Sequence, residues 1–203
     1  NVYFDRRKIS FKELINKAYL NRVPLSSSGF FKTSKININT KTLKGRPFLY
    51  FAYGASVSEV IVDTLTGENK LLQVDIIHDV GNSINKRIDK GQIEGGFIQG
   101  LGWLTTEEIS WKLDGKLQTH SPSTYKIPTS GETPFKLNVE IYNRGFNKED
   151  VINRSKAVGE PPFMLAISSF IAIKDAVYNA NENKDSSMLI APATPENILN
   201  SIN

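Results

Sequence analysis

Cysteine is absent from the 203 residues. That excludes disulfides, thiolate zinc sites, iron–sulfur ligation by this chain and a cysteine nucleophile. It is also compatible with a cytoplasmic protein. Histidine is scarce: His78 and His120 stand far apart, in neither the Hx3H nor the HExxH spacing, so neither suits a metal-ligand pair. Positive charge is present (net +4, pI near 9.1) but not concentrated, and the densest run is Asp5-Arg6-Arg7-Lys8. Scattered charge suits a solvated face and no nucleic-acid partner. Long hydrophobic runs are missing too. None approaches the roughly 20 residues of a membrane span, so no membrane partner is expected. The N-terminus lacks a signal-peptide h-region, and it opens on Asn1 and almost at once on a helix, as a piece of a longer protein would.

What remains is an ordinary globular composition, 39% hydrophobic and 23% charged, sized for one large domain or two packed lobes. The patterns predict an α+β fold, with mixed or antiparallel sheets built from hairpins and packed with helices at 10–20, 89–106 and 162–180. Ser10 and Glu13 are spaced as a capping box, followed by Phe11, Leu14, Ile15, Ala18 and Tyr19 at helical intervals. Residues 57–63 alternate as a strand, 66–69 form a turn, and 71–80 return as the second strand of a hairpin. Asp114-Gly115 between short apolar runs signals a type I′ turn, and 137–142 is a further strand. A polar tail follows residue 180, and Thr194-Pro195 opens a short last helix.

Two stretches depart from this routine. Residues 89–104 have helical apolar spacing through Ile93, Phe97, Ile98, Leu101 and Leu104, yet carry Gly91, Gly95, Gly96, Gly100 and Gly102. Interior glycines cost about 1 kcal/mol each relative to alanine, so either tight packing or close approach of a ligand offsets the loss. No GxxxxGK[ST] motif and no third glycine of a dinucleotide fingerprint is present. The second stretch, Ser155-Lys156-Ala157-Val158-Gly159-Glu160-Pro161-Pro162, sets one carboxylate between a glycine and two prolines. Directly after it comes a helix with no charge from Phe163 to Ile173, the pattern of a helix buried on every face. Prolines suit that first turn. A rigidly held carboxylate in an apolar setting is what a general base needs. The local pattern equally fits a carboxylate that caps its own helix.

Three segments in order resemble the xanthine dehydrogenase family, the molybdenum hydroxylases. Residues 91–102 are similar to its glycine-rich helix, Ser121-Pro122-Ser123-Thr124-Tyr125-Lys126-Ile127-Pro128 to its pterin-contacting loop, and residues 155–162 to the segment carrying its catalytic glutamate. The similarity runs over nearly the whole chain and places 1–203 as the C-terminal portion of the molybdopterin-binding subunit. The resemblance implies Glu160 as general base in the hydroxylation of a purine carbon of xanthine or hypoxanthine. It implies Gln92 and Ser123 as partners of the molybdopterin, with Lys156 and Gly159 in the loop walling the same site. The metal is held by the cofactor's dithiolene, so no protein metal ligand is expected. Implied partners are the purine substrate, the rest of the molybdopterin subunit, and an iron–sulfur/FAD subunit in a hetero-oligomer, with the 2Fe-2S, FAD and NAD groups there. Those modules and the upstream cofactor loops are missing from this chain, which alone is expected to be inactive and cofactor-free. An aldehyde oxidase-type relative is the alternative within the class, and a non-catalytic assembly module the alternative outside it.

Overall fold

A 203-residue chain of this composition folds here into two compact units, Asn1–Pro47 and Phe48–Asn203. The computed structural model describes residues 1–182 and 189–203, so the polar tail lies largely outside the described residues. In the smaller unit, β1 (Val2–Phe4) pairs antiparallel with β2 (Arg7–Ile9), and β3 (Asn37–Asn39) with β4 (Lys44–Arg46). Helix α1 spans Phe11–Leu20, and Ser10 Oγ accepts the Glu13 N–H at 3.1 Å, which is one half of the expected capping box.

The larger unit is organised by a mixed three-stranded sheet. Strands β5 (Gly54–Val62) and β6 (Asn69–His78) form the expected antiparallel hairpin. Its turn is set by Asp63, whose Oδ1 accepts the Leu65 and Thr66 N–H groups at 2.8 and 3.1 Å. Strand β7 (Lys136–Ile141) joins β6 in parallel, giving the order β5-β6-β7. A parallel pair needs a long crossover, and α2 (Lys86–Thr105) lies within it. Asn85 starts α2 three residues earlier than apolar spacing suggests, its Oδ1 accepting the N–H groups of Arg87 and Ile88.

The core forms where α2 covers the sheet. Val74 and Ile76 alternate inward from β6, a bulge after Leu71 brings that side chain to the same core, and Ile93, Phe97, Leu101 and Leu104 meet them from one stripe of α2. Each such side chain, fully buried, contributes about 1.5–3 kcal/mol. Helix α3 (Ile167–Ala180) packs on β5 through a ladder of hydroxyls: Ser168 Oγ lies 2.9 Å from Ser56 Oγ and 2.7 Å from Ser58 Oγ. Its Ile173 and Val177 join Leu189, Ala193 and Ile198 in a second cluster, which α4 (Pro195–Ile202) closes. Thr194 caps α4 as expected.

Four sequence expectations are corrected. The helix at 162–180 begins as a 3-10 segment, Pro161–Ala166, and becomes α-helical only at Ile167. It is also not buried all round, because Met164, Ile167 and Ile171 are about half exposed while Ser169, Ile173 and Val177 face the core. By length and composition alone, Pro161–Ala180 is long and apolar enough to cross a membrane, contrary to the expectation of no such run. The Asp114-Gly115 turn is not type I′. Only Gly115 has positive φ (+81°), and the Lys112–Lys116 and Gly115–Lys112 hydrogen bonds make it a three-residue loop with glycine at its left-handed position.

Candidate active site

One side of α2 is bare. Ile88, Gly91, Gln92, Gly95, Gln99 and Trp103 share an exposed stripe, as 3.6-residue spacing dictates. The glycines divide by face. A Cβ on Gly100 would overlap the Phe163 carbonyl oxygen and lie 2.9 Å from Ala166 Cβ, and one on Gly96 would lie 2.9 Å from the Gly159 oxygen. These two residues let the 159–166 segment lie directly on the helix. Gly102 is blocked likewise by Pro128 and Glu107. Gly91 and Gly95 instead have nothing among the described residues within 4 Å of a built Cβ, so they leave a side-chain-free surface beside Gln92.

Glu160 follows the residue that meets Gln92 of this helix. A Cβ on Gly159 would sit 3.6 Å from Gln92 Oε1, so the amide of Gln92 lies against the residue just before the carboxylate. Glu160 occupies the N-cap position of the 3-10 segment, where its carbonyl accepts the Phe163 N–H at 2.9 Å. Its carboxylate makes no capping hydrogen bond, and the residue is exposed. The local-cap alternative therefore fails on geometry. Trp103 and Phe163 stack across the same junction with centroids 5.4 Å apart.

Lys156 is placed differently. Its Nζ lies 2.5 Å from Asp79 Oδ2, with only 7% of its side chain and 12% of that of Asp79 exposed, and its charge sits 5.2 Å from the Tyr53 ring centroid. Beside the pair is His78, buried, its Nδ1 without a hydrogen-bond partner among the described residues. Burial holds its imidazole below the usual pKa, opposed by Asp79 and reinforced by Lys156. The two partners lie 77 positions apart, with no local sequence signal for the pair.

Ser123 belongs to a loop fixed at the far end of α2. Its Oγ lies 2.9 Å from Ser121 Oγ. The loop is tied by Thr106 Oγ1 donating to the Lys126 carbonyl at 3.0 Å and by Tyr125 OH donating to Glu107 Oε2 at 2.5 Å. Glu107 pushes the Tyr125 phenol above its ordinary pKa, which keeps it a donor. At about 1.5 Å per residue, the helix separates Gln92 from the Gly102 anchor by about 15 Å. The structure thus brings Gln92 against Gly159, the residue before Glu160, turns the Lys156 side chain to Asp79, and anchors the loop of Ser123 at the other end of α2. Next to that loop is an apolar cavity of about 540 Å3, lined by Trp111, Leu117, Pro122 and Tyr125 among others. Among the described residues, no cluster of three or more His, Cys, Asp or Glu side chains could hold a metal ion.

Residues 1–134 match the molybdopterin cofactor-binding domain family. The chain belongs to that family. It is 47% identical over 197 residues to xanthine dehydrogenase/oxidase of Felis catus, covering 94% of this chain and 15% of the relative. It is 46% identical over 199 residues to xanthine dehydrogenase of Oryza sativa subsp. japonica, covering 93% and 14%. Aldehyde oxidoreductase from Desulfovibrio gigas shares the fold at a TM-score of 0.66 and 25% identity, over 92% of this chain and 19% of that one. The chain thus spans about one-seventh of the curated relatives it matches. A molybdopterin group fits what is present. The open glycine surface admits a flat ring edge, and the Gln92 amide offers two donors and an acceptor beside it.

Proposed function

We propose that this chain forms one wall of the active site of a xanthine-oxidising molybdenum hydroxylase, with Glu160 as its general base. The observation that carries this is a carboxylate left out of its own helix cap, one residue after the Gly159–Gln92 contact. When bound, the molybdenum cofactor supplies the two-electron redox chemistry. The protein contributes position and a proton acceptor. Gln92 holds the pterin edge on the open face of α2, and Gly159 lets that edge approach. Ser123 supplies a further hydroxyl from the loop anchored at the far end of α2, about 15 Å along the helix from Gln92. Glu160 takes the proton from the water whose oxygen enters the purine carbon, and Pro161 and Pro162 restrict the backbone that aims it.

The identities of 46–47% to proteins named xanthine dehydrogenase favour a purine over an aldehyde substrate, since the aldehyde oxidoreductase shares only 25%. In this reading the whole enzyme works in purine catabolism in the cytoplasm. The remainder of the molybdopterin subunit supplies the other wall. Iron–sulfur, FAD and NAD modules on partner domains or subunits carry the electrons away. This chain alone binds no cofactor and turns over no substrate, and stoichiometric molybdenum in the isolated chain would count against that.

Glu160→Gln in the full-length enzyme tests the base. It should lower kcat on the order of 100-fold or more while molybdenum stays bound. Wild-type turnover of xanthine at full molybdenum content would remove Glu160 from the chemistry. Turnover of aldehydes but not xanthine by the unaltered enzyme would move the substrate to the other class.

A further inference from the structure

The loop that carries Glu160 is tied down from behind by groups that the proposed chemistry does not use. Lys156 donates its N–H to the Val80 carbonyl at 2.7 Å, and Ala157 donates to Tyr50 OH at 3.0 Å. The Lys156 side chain turns inward to Asp79, which also accepts the Gly81 N–H at 2.8 Å through its other oxygen. Asp79 is fixed in turn: its own N–H donates to the Tyr53 carbonyl at 2.8 Å, and a Cβ on Gly145 would collide with its carboxylate. One carboxylate thus grips both the strand end at Gly81 and the loop at Lys156, four residues before Glu160.

We infer that Asp79 and Lys156 act together as a positioning pair for Glu160, and that Lys156 serves the site through Asp79 and not by contact with the cofactor. This rests on the reading of Glu160 as the base. A buried ion pair holds its members in one arrangement, because moving either strands a charge away from water and partner. Both charges are nearly covered by protein, the setting in which that constraint is strongest. The side-chain hydrogen bonds of the pair run between Lys156 and Asp79 and from Gly81 to Asp79, whereas Gln92 lies against Gly159.

The experiment compares Asp79→Asn, Lys156→Met and the double variant in the full-length molybdenum-loaded enzyme, with Glu160→Gln alongside. Either single change should lower kcat on xanthine about tenfold or more, since a displacement near 1 Å is that costly. KM should stay within about threefold and molybdenum per protein at the wild-type level, separating misaim from lost binding. Hydrogen exchange at the Lys156 and Ala157 amides should quicken in both singles while the amides of α2 keep their rates. The double variant leaves no stranded charge and should recover part of the loss, to a kcat still about threefold or more below wild type.

Single variants within twofold of wild-type kcat overturn the inference. So do losses that simply multiply in the double variant, or a double variant at full wild-type kcat. Loss of molybdenum in Lys156→Met but not in Asp79→Asn would overturn it in favour of direct cofactor contact. If the singles fail to fold, the double variant decides alone by the same criterion. Wild-type turnover in Glu160→Gln would sink the base itself, and the exchange rates at 156 and 157 would still report whether the pair holds the loop.

Discussion

Adding one methyl group to α2 should have opposite effects on its two faces. At Gly95 a Cβ meets nothing within 4 Å, so alanine is free to occupy the site. The change then gains the helix propensity that glycine lacks, about 1 kcal/mol. At Gly100 the same Cβ overlaps the Phe163 carbonyl and comes within 2.9 Å of Ala166 Cβ. Both obstacles belong to the 3-10 segment Pro161–Ala166, whose first two residues are prolines and whose Ala166 is fully buried. Overpacking of that kind typically costs about 1–3 kcal/mol, and backbone that cannot swing aside puts it at the upper end. After the propensity gain, Gly100→Ala should be destabilising by about 2 kcal/mol, roughly 3 kcal/mol below Gly95→Ala.

Urea unfolding of the 203-residue chain, followed by circular dichroism, would read the difference. With a urea slope of about 1–3 kcal/mol/M, the midpoints of the two variants should differ by about 1–3 M. In the full-length enzyme the order should reverse in one respect. Gly95→Ala should lower the molybdenum content by placing a methyl on the surface proposed for the pterin edge. Equal midpoint shifts of the same sign would refute the division of the helix into a packed and an open face. Full molybdenum loading in Gly95→Ala would refute the proposed use of the open one.

Acidity supplies two further tests. Glu132 is held down to a pKa of about 2 by hydrogen bonding from the Thr129 hydroxyl, then by Lys126 and the Thr129 N–H. Its contribution is therefore present above the ordinary value near 4.5 and lost as pH falls through about 2; for a surface group it should be about 1 kcal/mol. Thr129→Val should move the Glu132 titration, read by carboxyl NMR shifts, upward; an unchanged titration would remove the hydroxyl as the main cause. His78 sits below its ordinary value near 6.5, so the unfolded chain takes up the proton more readily. Stability should be full above about pH 6.5 and fall as pH drops below it. His78→Leu should flatten the urea midpoint between pH 7 and 5, and an unaltered slope would place the dependence elsewhere.

Local pattern made much of this fold legible. The β5–β6 hairpin follows from period-two alternation around Asp63 and Gly67, and the core stripe of α2 from its 3.6-residue spacing. Two things escaped for physical reasons. The apolar content of 163–173 reports that surface is meant to be covered, not by what, and the described residues cover only one side of α3. The tie between Asp79 and Lys156 joins positions 77 apart, and no periodicity encodes a single charge pair across a fold. The five glycines of α2 are the sharpest case. Their sequence allowed either tight packing or ligand approach, as if one cause had to serve for all. In the folded chain Gly96, Gly100 and Gly102 meet the 159–166 segment and Pro128, whereas Gly91 and Gly95 face open space beside Gln92. Helical angle assigns these residues to faces but does not say which face another element takes. That depends on where Pro161 turns the chain, and so on contacts made between residues 160 and 166 and a helix some 60 positions earlier.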